Sequence, residues 1–134
     1  MSKAFNVTIL CASFAALISL AAMGCASGRA EAKVQAPPPA RPAAFAVCSA
    51  CHATEAGKTI VGPSLAGVSG RRAGSLAGYA YSEALKNSGL TWDRDSLDTW
   101  LTSPQKMVPG TKMPFMGIAD PVRRKAVVDY LLTL

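Results

Sequence analysis

Cys48-Ser49-Ala50-Cys51-His52 decides how the rest of this chain is read. A C-x-x-C-H run attaches haem covalently: the two thiols add to the haem vinyl groups and the adjacent imidazole binds iron. Two intervening residues let one helical turn present both sulfurs to the macrocycle, and the next residue swings its ring onto the axis. The alternatives are weighed by counting. Structural zinc takes four ligands, usually Cys and His, whereas beyond the first 28 residues the chain offers only Cys48, Cys51 and His52. A thioredoxin-like dithiol needs a βαβ context, which is absent. A plain Cys48–Cys51 disulfide is the bland alternative; the single histidine placed directly after the second cysteine favours haem.

Iron in haem has a second axial position. With no second His, the candidates are Met107, Met113 and Met116, all within the Pro/Gly-punctuated stretch from Pro104 to Gly117. A thioether on the iron favours the reduced state and raises the potential relative to two imidazoles, which suits a carrier.

Outward from the motif, the chain of 134 residues has room for one domain. From Ala4 to Gly28 run 25 uncharged residues, preceded by Lys3, so 1–28 reads as an export signal or N-terminal anchor. No twin-arginine pair precedes it. Three fates compete: cleavage at a small-x-small site such as Gly24-Cys25-Ala26; lipidation of Cys25 within Ala22-Met23-Gly24-Cys25, which has Ala22 where Leu is usual; and retention as a span, since about 20 residues cross a bilayer. Cys11 reads as a small apolar residue of the same segment. Residues 29–42 form a Pro/Ala-rich linker, and Pro37-Pro38-Pro39 favours extended polyproline geometry, a stiff spacer suited to a tethered protein. The 92 residues from 43 to 134 remain to build a small core. A multidomain enzyme, a polytopic membrane protein and a dense disulfide scaffold are excluded. Net charge is +6, but 43–134 holds ten Lys/Arg against seven Asp/Glu, or +3. Arg71-Arg72 and Arg123-Arg124-Lys125 are the only basic runs there. A nucleic-acid surface would show a denser stripe with interleaved aromatics.

Four stretches look helical and none looks like a strand. Pro42 serves as first helical residue for Ala43 to about Cys51. Ser82 caps a short helix reaching about Lys86. Asp93 to Thr102 carries Leu97, Trp100 and Leu101 at helical spacing, and Pro104 ends it. Asp120 caps the last helix, with Pro121 at its first position and Val122, Ala126, Tyr130 and Leu134 as an apolar stripe flanked by Val127 and Leu131. Arg123, Arg124 and Lys125 lie mostly off that stripe. Between Ala53 and Tyr81, 29 residues carry six glycines and little periodicity. Irregular runs of that length are uncommon in small domains unless functional or disordered. A large apolar cofactor filling the interior would account for it.

From Cys48 to the end, 87 residues, the chain resembles a class I c-type cytochrome of the mitochondrial and bacterial c2 type. The matching pieces, in family order, are CSACH at 48–52, GPSLAGVSGRRAG at 62–74, GYAYSEALKNSGLTW at 78–92 and SPQKMVPGTKMPFMG at 103–117. The resemblance implies an all-α fold: few helices wrapped around one covalently bound haem c, with long Gly-rich loops. It further implies His52 as proximal ligand and Met113, in Pro109-Gly110-Thr111-Lys112-Met113, as distal one. Cys48 and Cys51 would carry the thioether links, and the Pro63 carbonyl would accept from the other ring nitrogen of His52. Arg71, Tyr81 and Trp92, assisted by Ser82 and Thr111, would surround a buried haem propionate. Phe115 would pack over the exposed haem edge, while Met107 and Met116 are packing or surface residues.

The sequence departs from that pattern in places. Ala44 stands where some relatives carry a packing aromatic, which Phe45 replaces. Trp100 occupies the place of a tyrosine that touches the distal methionine, and Leu85 that of a polar residue near a buried water. The ring of lysines is thin: Lys106 and Lys112 remain, but Val47, Gln105, Ala119 and Asp120 stand where basic residues are common, which weakens electrostatic steering to an acidic partner. The expected function is one-electron transfer in a respiratory or photosynthetic chain outside the cytoplasmic membrane, not catalysis. A quinol-oxidising cytochrome complex is the expected donor, and a terminal oxidase or reaction centre the acceptor. A tethered haem subunit of a larger redox complex and a peroxidase-like or gas-binding haem protein are the competing classes.

Overall fold

A computed structural model of the chain describes residues 39–134. The export segment, Cys25 and most of the linker lie outside the described residues. Within them the structure is helical, with two isolated bridges (His52 with Thr59, Arg72 with Thr91) and no strand.

The chain enters through a single 3-10 turn, Ala43–Phe45, and continues as α1, Ala46–Ser49. Pro42 stands one position earlier than the sequence suggested. Its extended backbone (φ −73°, ψ 149°) makes it the cap, and its carbonyl accepts the first bond, from Phe45 N–H at 2.9 Å. α1 stops at Ser49, yet the helical path persists locally, because His52 N–H still reaches the Cys48 carbonyl at 2.9 Å. That continuation brings both cysteines and the histidine onto one turn.

α2, Glu83–Lys86, is capped by the Ser82 hydroxyl, which accepts from Leu85 N–H at 3.2 Å. α3, Arg94–Thr102, begins with a reciprocal box: the Asp93 carboxylate accepts from Ser96 N–H at 2.8 Å, and Ser96 Oγ accepts from Asp93 N–H at 2.9 Å. Pro104 does not merely end α3. It opens a further turn, α4, Pro104–Met107, where its missing N–H costs nothing at the first helical position. Four residues hold no apolar period, so nothing in the pattern announced this element.

α5, Pro121–Leu131, is capped by Asp120, which accepts from Val122 and Arg123 N–H. Its buried face differs from the expected stripe. Val122 is 77% exposed, whereas Val127, Val128 and Leu131 are buried. The reason is its two neighbours: α5 packs on α3 and on the 3-10 turn at once, and Tyr130 meets the fully buried Phe45 edge-on with ring centroids 4.9 Å apart. Arg124, off the expected stripe, is also largely covered. Its Nε donates to Asp98 on α3 at 2.8 Å and its Nη1 to the Ile118 carbonyl at 2.9 Å.

The glycine-rich run between α1 and α2 is ordered by backbone bonds to distant segments. Gly62 N–H donates to the Cys51 carbonyl (2.8 Å) and Leu65 N–H to that of Ala53 (2.9 Å). Gly70 N–H bonds the Trp92 carbonyl (2.8 Å), while Trp92 N–H bonds that of Arg71 (3.0 Å). The second pair sets Arg71 beside Trp92. The core is thus helix on helix on one side and loops laid over a cavity on the other.

Candidate haem site

The cavity has a volume of about 290 Å³ and is walled mainly by apolar side chains. Cys48, Cys51 and His52 line it from the end of α1; Leu97, Trp100, Leu101 and Leu131 line it from α3 and α5. Pro63, Arg71, Tyr81, Ser82, Trp92, Thr111, Met113 and Phe115 also line it, so every candidate site residue meets the same space. Met107 packs against the core and Met116 is 92% exposed; neither borders the cavity.

His52 is held on two sides. Its Nδ1 lies 2.8 Å from the Pro63 carbonyl oxygen. A carbonyl only accepts, so Nδ1 carries the proton and Nε2 is left with its lone pair for a metal. Gly62 lies flat against the ring: a Cβ built there would stand 2.7 Å from Nδ1 and 2.9 Å from Nε2. No positive φ demands glycine at this position, so the requirement is one of space. The same Gly62 bonds back to the Cys51 carbonyl, which closes the motif into a small rigid unit.

The two thiols are not bonded to each other. Burial pushes the Cys48 thiol up, a backbone hydrogen bond partly opposes this, and the nearby Cys51 adds to it. Cys48 accordingly meets the cavity from an apolar wall.

Polar groups collect at one part of the lining. Arg71 is pinned by donating from Nη1 to the Ala66 carbonyl (2.9 Å) and from Nη2 to that of Ser64 (3.0 Å). Burial pushes the Tyr81 phenol up, with the Arg71 guanidinium opposing it, so the hydroxyl keeps its proton. Trp92 is buried and meets Trp100 edge-on at 5.2 Å. Ser82 uses its oxygen to cap α2 and retains an O–H to donate. Two thiols, an imidazole with one nitrogen spent, a flat glycine and an apolar slot with a local cluster of donors fit a covalently attached haem.

Sequence reasoning passed over part of the lining. Tyr79 reaches the cavity beside Tyr81, ring centroids 4.7 Å apart, and its hydroxyl donates to the Val61 carbonyl at 3.2 Å. The Tyr-x-Tyr spacing was the available signal. Val68 and Leu131 also contribute. For Val68 no pattern pointed inward.

A fold of few helices around a slot carrying this motif defines a class I c-type cytochrome. The family profile of cytochrome c matches residues 42–134. Cytochrome c2 iso-2 of Magnetospirillum molischianum is 52% identical over 93 residues, spanning 69% of this chain and 96% of that protein. Cytochrome c2 of Rhodoblastus acidophilus is 51% identical over 88 residues, 65% of this chain and 82% of its own. The solved structure of cytochrome cH from Methylobacterium extorquens superposes with a TM-score of 0.63 at 53% identity, covering 68% of this chain and 92% of that one. The chain belongs to the cytochrome c family. It is a haem-based electron-transfer protein, not an enzyme, and its cofactor is covalently bound haem c, with Cys48 and Cys51 in the C-x-x-C-H positions.

Proposed function

We propose that this chain is a small one-electron carrier whose haem iron is held between His52 Nε2 and the thioether of Met113. The observation that carries the reading is that a pinned His52, the only imidazole in the chain, and Met113 border one apolar cavity. Bound haem iron supplies a couple that cycles between ferric and ferrous. The protein's own part would be to hold the iron through His52 and Met113 and to keep water away. The Pro63 carbonyl fixes the tautomer of His52 and Gly62 fixes its plane. Arg71, Tyr81 and Trp92, with Ser82 and Thr111 beside them, supply donors that offset the cost of burying a propionate carboxylate. Phe115 covers the edge of the slot.

The partners are redox proteins: a quinol-oxidising cytochrome complex as donor and a terminal oxidase or reaction centre as acceptor. The setting is the periplasm or the outer face of the cytoplasmic membrane, reached by export through residues 1–28, with cleavage giving a free protein and Cys25 lipidation or a retained segment an attached one. Among the described residues no helix is long and apolar enough to cross a membrane.

The optical spectrum of the mature protein tests this. A low-spin ferric form with the far-red methionine-to-iron band, and a ferrous form unchanged by carbon monoxide, is the expected result. A high-spin ferric form, or prompt carbon monoxide binding, would overturn the His52/Met113 assignment. A carrier should leave the membrane once its N-terminal attachment is cut; retention with other redox subunits would make it part of a complex.

A further inference from the structure

The segment that delivers Met113 is short and irregular, and its path is set by one turn. Thr111 N–H bonds the Val108 carbonyl at 3.1 Å, with Pro109 and Gly110 between them. Gly110 has φ +87°, so this is a type II turn: proline presets the first corner and glycine accepts the positive φ of the second. The turn folds residues 111–113 back alongside α4. There Gln105 Nε2 donates to two carbonyls at once, that of Thr111 at 2.9 Å and that of Met113 at 3.1 Å. Thr111 is buried, and its carbonyl finds its hydrogen-bond partner in this amide. Neither bond lies within a helix ladder or a cap. Both join a side chain to the carbonyls of the two residues that flank Lys112.

We propose that Gln105 is a positioning residue for the axial sulfur, latching the Met113 segment shut so that the sixth iron position stays closed to outside ligands. This rests on the assignment of Met113 as ligand. A single planar amide offers two N–H donors, and the two acceptors are the carbonyls on either side of one residue, so residues 111–113 are fixed both in place and in rotation. Lys112 points away from the latch and donates from Nζ to the Ala80 carbonyl at 3.0 Å, which ties the same segment to the Tyr81 side. The segment is therefore strapped from two directions. Releasing either strap frees the backbone next to Met113 without disturbing α3, α5 or the packing between them. Gln105 does this work from an exposed position, and an apolar or anionic side chain of similar length fits the space without supplying donors.

The test uses the mature holoprotein carrying Gln105→Met or Gln105→Glu. Each keeps the length of the side chain and removes both donors. Loss of two neutral hydrogen bonds should raise the population with Met113 detached about tenfold. Carbon monoxide should then bind the ferrous variants about tenfold faster, under conditions where opening precedes binding. In urea the far-red band should vanish at a lower concentration than in the wild type, while the far-UV helix signal is lost at nearly the unchanged midpoint. A residue that only supported the fold would move the two midpoints together, and that result overturns the proposal. So would variants whose band and carbon monoxide rate match the wild type. If the wild type itself lacks the far-red band, the Met113 assignment fails first and the latch fails with it, which keeps the two failures distinguishable.

Discussion

Gly62 illustrates how much of this site is set by single atoms. Its hydrogen faces the His52 imidazole where a methyl group would overlap three ring atoms, and backbone geometry permits any residue there. Gly62→Ala should therefore act through the ring alone, destabilising the holoprotein by about 1–3 kcal/mol through overpacking. Thermal unfolding followed by haem absorbance measures the cost, and a change in the ferric low-spin signal would accompany it if His52 tilts. An unchanged melting temperature would show that the ring yields freely. The contrast with Cys48, Cys51 and His52 explains what could be read beforehand. Covalent attachment fixes both residue type and spacing, so the motif announces itself. Gly62 was legible only as part of a familiar Gly-Pro pair, and the two hydrogen bonds donated by Gln105 not at all. Its acceptors are backbone carbonyls, which carry no residue identity, brought near by the Val108–Thr111 turn.

At the level of elements, end signals were more legible than faces. Ser82, Asp93 and Asp120 each cap the helix that follows them, because a short oxygen-bearing side chain beside free N–H groups is a purely local arrangement. The buried face of α5 depends instead on what it packs against. Two partners, α3 and the 3-10 turn, rotate it toward Val127, Val128 and Leu131. α4 escaped notice because one turn is too short to show a period. The α3–α5 contact also carries a pH-dependent clamp. Asp129 on α5 accepts from Lys125 Nζ at 2.7 Å and from Arg94 Nη1 on α3, and these bonds, Lys125 foremost, hold its carboxyl below the usual carboxylate range. A depressed folded pKa means stability fully present above the unfolded value near 3.8 and lost as pH falls from there through the folded value. Asp129→Asn should thus lower the melting temperature at pH 6 but make progressively less difference below pH 3.8. Melting curves of both proteins across that range provide the check; a constant gap would mean the charge plays no part. The pair is largely solvated, so the effect is small.

At the scale of the domain, the described residues enclose a slot as much as they pack on one another. The described core is a modest set of side chains, many of which also line the slot, among them Val68, Leu85, Trp92, Leu97, Trp100 and Leu101. Without a group filling the slot, those faces have little to pack against, and a domain this small has slight stability to spare. A chain with both Cys48→Ala and Cys51→Ala, exported and purified without haem, should lose most of its far-UV helical signal and its cooperative melt. Retention of both would show that the protein shell stands alone. The contact of Phe45 with Tyr130 bears on the order of assembly. Phe45, three residues before the first haem-attachment cysteine, is sealed by a side chain from α5, and a nascent chain emerges N-terminus first. Cys48 and Cys51 are synthesised long before the element that closes over their neighbour. The thiols are consequently reachable throughout translation and export, and the door shuts behind the cofactor only when α5 arrives. A chain stopped before Pro121 should still acquire thioether-bound haem, detectable by its mass, while never reaching a sharp unfolding transition.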